Sequence, residues 1–456
     1  MIQKNLKDLV YAPATPLRNA ISDLYRKNVS ICLVCSADKK LIGILTRSDI
    51  KQAVLKGLDH QAPISSIMNK EFVSAGAGAS EAALRKLARM QSKYGTGTLD
   101  RIPLLDTKGH LAGLYVSSDA GQREIPTVLL TGGAGYVGSH VARKLLARGY
   151  RTVVLDKLMF GKESVKDLLK NKNFSLVQGD IGDIGTLIKA IAGADYVIHL
   201  AGIVGDPASS LDPLQTMEQN HFATKTLIDI SKYYGVSRFI FSSSCSVYGS
   251  GDQMLDEESK LQPVSLYAQS KLYSERELLR EKGENFHPVI LRFGTLYGLS
   301  PRMRFDLVAN TMSAHANASG KITVDGGAQW RPLLHVEDAA AACVAVLEAP
   351  LARVSGEIFN VGDTKENYTI EGIAKMVQKY LPKTEIVQLD TVRDRRDYRV
   401  SFAKINTVVK WRAVRKLPEG IQEVIKALKS KKFKQWKDKR YNNYLMLKSV
   451  FEEMSS

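Results

Sequence analysis

The chain is 456 residues long, 44% hydrophobic and 24% charged, with a formal net charge of +17. It is too long for one ordinary core, so two or three domains are expected. No window approaches the roughly eighteen continuous apolar residues of a transmembrane helix, and MIQKNLKDLV lacks the apolar centre of a signal peptide, which leaves a soluble, cytoplasmic protein as the expectation.

The first 120 residues hold an internal repeat. SICLVCSADKKLIGILTRSDI aligns with RIPLLDTKGHLAGLYVSSDA, pairing Leu41 with Leu111, Gly43 with Gly113 and Asp49 with Asp119. Each copy reads as strand, polar turn, strand and helix start, preceded by an amphipathic helix (PLRNAISDLYRKN and ASEAALRKLARMQ). A unit that cannot bury its apolar face alone, present twice, predicts a pseudo-symmetric α+β pair over residues 1–124. Cys32 and Cys35 form a C-x-x-C inside an apolar run, which reads as a buried strand and not as a redox or metal site; no metal is expected anywhere in the chain. On Gly43 to Asp49 (GILTRSD) this half resembles a tandem cystathionine-β-synthase (CBS) pair. The resemblance implies an adenine nucleotide (AMP, ADP or ATP) with its ribose on Thr46 and Asp49. The second copy keeps Asp119 but has Val116 where the hydroxyl belongs, so one competent site is expected, with a purely structural or dimerising pair as the alternative.

GQREIP, 121–126, reads as a short linker. Beyond it TVLLTGGAGYVG joins an apolar strand to a glycine turn, and HVARKLLARG continues as a helix. Strand, glycine turn and helix make a dinucleotide site: Gly132 permits the tight turn, Gly135 the approach of a pyrophosphate, and Gly138 close packing of the helix, with Tyr136 and Val137 between them. The helix N-terminus favours the phosphate. RTVVLD ends at Asp156, eighteen residues after Gly138. A carboxylate there accepts ribose hydroxyls and repels a 2′-phosphate, favouring NAD over NADP. The chain then alternates strand and helix, as in a doubly wound parallel sheet of Rossmann type. Its strand ends bring Asp180 and Ile181, then Leu200, Ala201 and Gly202, then Ser242 and Ser244 to the edge where such sheets bind ligands. An irregular region from about 292 to 456 is expected to form a smaller substrate-binding portion of a domain spanning 127–456.

Tyr267 and Lys271 stand one helical turn apart in LYAQSKLYSERELL, on one face. A nearby ammonium favours phenolate, so the pair suits proton transfer. With TGGAGYVG, HLAG, SSSCSVYG, YAQSK, LRFGTLYG and QWRPLLHVED, the chain resembles the extended short-chain dehydrogenase/reductases that act on nucleotide sugars. The resemblance implies Ser244, Tyr267 and Lys271 as catalytic triad, with Tyr267 and Lys271 also at the nicotinamide ribose. It implies Asn220 as a support of the cofactor strand and catalytic helix, and Arg331 as a ligand of the substrate diphosphate. It further implies a second diphosphate arginine in TVRDRRDYRVS, assigned to Arg395, and lesser substrate contacts from Arg304 and Ser246.

Family 4,6-dehydratases carry Thr-Asp-Glu where this chain has Ser244-Cys245-Ser246, which removes the acid and base of water loss. What remains is oxidation at one carbon, expected at C4, followed by hydride return to either face: an NAD-dependent nucleotide-sugar epimerase. A 4-ketoreductase, dehydrogenase or dehydratase-like enzyme of the same family stays open, as does a non-enzymatic NAD or nucleotide sensor. The basic run KSKKFKQWKDKR reads as a solvated face and not as a nucleic-acid site, and a homodimer or larger homo-oligomer is expected.

Overall fold

A computed structural model describes residues 2–26, 31–46, 49–50, 59, 61–84, 87, 101–116, 125–389, 391, 394 and 396–455. Asp119 and Arg395 therefore lie outside the described residues. The chain divides into two compact units, Met1–Ile125 and Pro126–Ser456.

In the first unit the repeat is reproduced pair by pair. Ile31–Cys35 and Leu41–Thr46 form an antiparallel hairpin with Ile31 opposite Thr46 and an irregularity after Val34. Arg101–Leu105 and Leu111–Val116 form another, with Arg101 opposite Val116 and the irregularity after Leu104, each position seventy residues on. The hairpins are completed crosswise. Ile2–Gln3, which precedes the first copy, pairs with Leu111–Val116 of the second, whereas Asn69, which precedes the second copy, bridges Ile44 of the first. Cys32 and Cys35 are buried and form no disulfide, in keeping with a core strand.

The second unit is built on a seven-stranded parallel sheet. Its strands are β1 (Thr127–Thr131), β2 (Arg151–Asp156), β3 (Phe174–Gln178), β4 (Tyr196–His199), β5 (Arg238–Ser244), β6 (His287–Phe293) and β7 (Glu357–Val361). Their spatial order is β3-β2-β1-β4-β5-β6-β7. The order reverses between β1 and β4, and there the carboxyl ends open a ligand crevice. Helix α1 (Gly138–Ala147) follows β1, and helix α2 (Leu266–Arg280) carries Tyr267 and Lys271 past the ends of β5 and β6.

The region after 292 is less separate than the sequence suggests. Strand β7 and the helix Val336–Glu348 return to the main sheet and its core. Its remaining elements, including the helices Val308–Ser319 and Ile370–Tyr380, enclose a core of their own around Met312, Leu333 and Ile373. At the C-terminal end, helix α3 (Asn443–Ser455) follows the basic run, whose Phe433 and Trp436 turn inward against Phe305 while the surrounding lysines are exposed. Among the described residues no helix is long and apolar enough to cross a membrane.

Candidate active site

At the switch point β1 runs into the glycine turn, and backbone geometry explains two of its glycines. Gly132 has φ +70°, and a Cβ there would stand 2.8 Å from the Ala201 nitrogen. A Cβ on Gly138 would stand 2.1 Å from the Gly132 oxygen, so only glycine lets α1 begin this close to the turn. The result is a cradle of backbone at a helix N-terminus, the shape and polarity a pyrophosphate needs.

Asp156 closes one end of this cleft. Its carboxylate accepts from Ala134 N–H (2.9 Å) and Leu158 N–H (2.8 Å), and burial raises its pKa while those N–H groups lower it. Asp180 also lines the cleft; it accepts from Gly182 N–H and pairs with Lys157 at 3.1 Å. Tyr136, Val137, Ile181, Leu200, Ala201, Gly202 and Ser242 line the cleft with them. The Tyr136 hydroxyl is turned away to Gly298 O, at 2.6 Å. Asn220 is buried behind the wall: its side chain accepts from Ile203 N–H (2.7 Å) and donates to Ile203 O (2.8 Å) and Ser270 Oγ (3.2 Å). It holds the chain after β4 against α2 through a π-helical turn, Glu218–Phe222.

At the other end Ser244, Tyr267 and Lys271 converge on the cleft. Ser265 caps α2 by accepting from Ala268 N–H. Burial pushes the Tyr267 phenol up to about 12 and Asp206 adds to the rise, while Arg304, a hydrogen bond with Ser244 and Arg396 pull it down. The net effect is a rise, where the sequence led to the expectation that the neighbouring Lys271 ammonium lowers the phenol's pKa. The Lys271 Nζ lies 5.9 Å from the Tyr267 ring centroid but 4.8 Å from that of Phe241, and burial lowers its own pKa to about 8.

The basic residues divide. Arg304 lines the cleft, with its guanidinium forked onto Asp306 at 3.0 and 2.7 Å. Arg331, expected at the diphosphate, is not among the residues lining the cleft; it is buried, paired with Asp394 at 2.7 Å and donating to Trp330 O and Arg396 O. Ser246 is likewise absent from the lining: it is buried, and its hydroxyl donates to Ser244 Oγ at 2.9 Å. Arg396, the neighbour of Arg395, does line the cleft, and it pairs with Asp206 at 2.9 Å. The sequence reading also missed Arg302, Asn443 and Leu447 in the wall. Arg302 stands two residues before Arg304 in the same basic segment; nothing in the sequence around Asn443 and Leu447 signals a cleft.

In the first unit Thr46 and Asp49 are brought together. One Asp49 oxygen accepts from both Thr46 N–H (2.8 Å) and Thr46 Oγ (2.6 Å).

A dinucleotide cradle, an acid at the second strand and a Ser, Tyr, Lys group at the fifth strand and its following helix are thus brought to one cleft. The pattern of the NAD dependent epimerase/dehydratase family matches residues 128–362, and that of the CBS domain matches residues 6–56. A UDP-glucose 4-epimerase of Bacillus subtilis is 30% identical over 319 residues, covering 64% of this chain and 94% of that protein. UDP-glucuronic acid decarboxylase 4 of Arabidopsis thaliana is 26% identical over 362 residues, covering 76% of this chain and 78% of that protein. The crystal structure of UDP-glucuronic acid 4-epimerase from Bacillus cereus, in complex with UDP-glucuronic acid and NAD, superposes with TM-score 0.61 at 27% identity, over 67% of this chain and 99% of that one. The chain belongs to the NAD dependent epimerase/dehydratase family, with a CBS domain at its N-terminus. It is an enzyme whose cofactor is NAD, and the purely sensory reading falls away.

The Lys271 environment makes a prediction about stability. Its folded pKa, about 8, lies below the ordinary 10.5, so between those values the unfolded chain holds more protons and stability rises with pH. Below about pH 8 the buried charge costs on the order of 3 kcal/mol. Denaturant titrations of the cofactor-free protein should find Lys271→Met more stable than the unaltered protein at pH 7, with the difference shrinking toward pH 10. A variant equally or less stable at pH 7 would contradict this environment.

Proposed function

We propose that the chain is a nucleotide-sugar 4-epimerase that oxidises the C4 hydroxyl of a UDP-sugar and returns hydride to the opposite face. The reading rests on the convergence of Ser244, Tyr267 and Lys271 in one cleft, with no carboxylate at 245 or 246 to drive water loss. The family's UDP-sugar 4-epimerases support it. NAD, when bound, supplies the hydride acceptor and donor. Tyr267 as phenolate, the form that the positive nicotinamide ring of bound NAD would favour against burial, takes the proton of the C4 hydroxyl as the ketone forms, and gives it back when the sugar presents its other face. Ser244 donates to the same oxygen, fixed electrostatic support worth a few kcal/mol. Lys271 holds the ribose beside the nicotinamide, while Arg304 and Arg396 favour an anionic diphosphate. A second reading has a specific relative behind it: decarboxylation of a UDP-uronic acid shares oxidation at C4. A panel of UDP-sugars with products resolved by NMR separates the readings, since epimerisation leaves every carbon in place and decarboxylation releases CO2. Tyr267→Phe should lower turnover by roughly 10²-fold or more while NAD affinity stays close to normal. Near-native turnover in that variant would sink the mechanism.

We also infer a homodimer formed through α2 and the helical segment before it. Leu214, Phe222 and Tyr273 are 80%, 55% and 42% exposed. His221 packs between the last two, with ring centroids 5.1 Å from Phe222 and 5.7 Å from Tyr273. Light scattering at micromolar concentration should give a dimer that Phe222→Glu dissociates; a monomeric unaltered protein would rule the contact out.

The first unit is proposed as a regulatory site for an adenine nucleotide on Thr46 and Asp49. Coupling of such sites typically amounts to about 5- to 150-fold in affinity. Titration of the full chain with AMP, ADP and ATP should change epimerisation, and Asp49→Ala should abolish the change. Turnover indifferent to all three nucleotides would leave the unit without this role.

A further inference from the structure

Helix α3 begins beside the cleft. Its Tyr444, Leu447 and Phe451, one helical stripe, pack against Met159 next to the cofactor strand β2 and against Ile203, Ala208 and Leu211 beyond β4. Met159 and Ile203, which follow the strands on either side of β1, both line the cleft, and Asn443 and Leu447 of α3 line it with them.

The first residue of α3 organises the cationic wall. The Asn443 N–H donates to Asp306, the partner of Arg304, at 3.3 Å. Its side-chain amide donates to Val204 O at 3.3 Å and accepts from Arg302 at 2.6 Å. Arg302 is 7% exposed, lies over the Phe160 ring at 3.5 Å and lines the cleft, and its buried Nε–H has no hydrogen-bond partner. A guanidinium stripped of water with a donor unused is stabilised by an anion. Neither carboxylate that influences Arg302 through its charge serves: Asp306 is forked by Arg304, and the two oxygens of Asp156 accept from Ala134 and Leu158. The anion that the glycine cradle is shaped for is the pyrophosphate of the dinucleotide.

We propose that α3 is a clasp that retains NAD, and that Asn443 is a positioning residue that aims Arg302 at the cofactor's pyrophosphate. Binding and release of NAD then depend on the end of the chain, beyond the matched family region at 128–362.

The test measures NADH dissociation from the full-length protein by stopped-flow fluorescence, with ADP and adenosine titrated as competitors of NADH at this cleft. Arg302→Met should speed NADH release and weaken ADP competition by about tenfold or more, while leaving adenosine, which has no phosphate, unchanged. Asn443→Ala should act in the same direction to a smaller extent, and it carries the test should Arg302→Met not fold. Leu447→Ala with Phe451→Ala should speed NADH release and leave the ratio of ADP to adenosine affinity as it was. Release rates within twofold of the unaltered protein in all three variants would overturn the clasp. Loss of adenosine affinity equal to that of ADP in Arg302→Met and Asn443→Ala would overturn the phosphate assignment. An unaltered protein that binds no NADH would overturn both, together with the family reading.

Discussion

Helix α2, which carries Tyr267 and Lys271, is held to the sheet by a buried ion pair. Arg292 at the end of β6 donates to Glu275 of α2 through Nε (3.0 Å) and Nη2 (2.7 Å), and both side chains are 2% exposed. Ser243 of β5 donates to the same carboxylate, and Arg292 reaches on to Tyr248 and through it to Asn360 of β7. Three strands and one helix thus share one saturated polar network. Removing one partner of such a pair typically costs about 3–5 kcal/mol, because a charge is left buried alone. Glu275 lies one turn beyond Lys271 and raises its pKa, partly countering burial. The network that orients the helix therefore also keeps the lysine charged at neutral pH.

A theme of the cleft is charge held out of water and already matched. Arg304 is forked onto Asp306, and Arg396 pairs with both Asp206 and Asp394. Pairing before ligand arrives keeps the arginines rigid, so less side-chain entropy is lost on binding. It also restrains their affinity for anions, since any incoming anion would compete with carboxylates already in place.

Much of this was legible in the sequence, for identifiable reasons. The glycine turn, Asp156 and the Tyr267–Lys271 spacing are local signals, in which each residue's purpose is set by neighbours a few positions away. The repeat in the first unit was legible because two copies constrain each other. The arginines were not: Arg331 and Arg396 both pair with Asp394, and it is Arg396, which also meets Asp206 from far earlier in the chain, that lines the cleft. The position of the phenol's pKa was missed for a similar reason. Helical spacing brings Lys271 near Tyr267, but burial, which spacing does not report, has the larger effect. The wall residues Asn443 and Leu447 carry no local mark of their neighbours, Val204 and Ile203, more than two hundred positions earlier.

The crosswise completion of the two N-terminal hairpins has an evolutionary consequence. Because the segment ahead of each copy pairs with the other, neither copy can be deleted without baring the edge of the survivor, and bare edges invite aggregation. The duplicated halves are thus bound to be inherited together. The side chains at their strand ends are under no such bond, because a hairpin register is indifferent to what projects from its last residue. Drift at a position such as Val116 is tolerated in a strand that must be kept. A duplicated module of this kind can become functionally one-sided while remaining structurally two-sided.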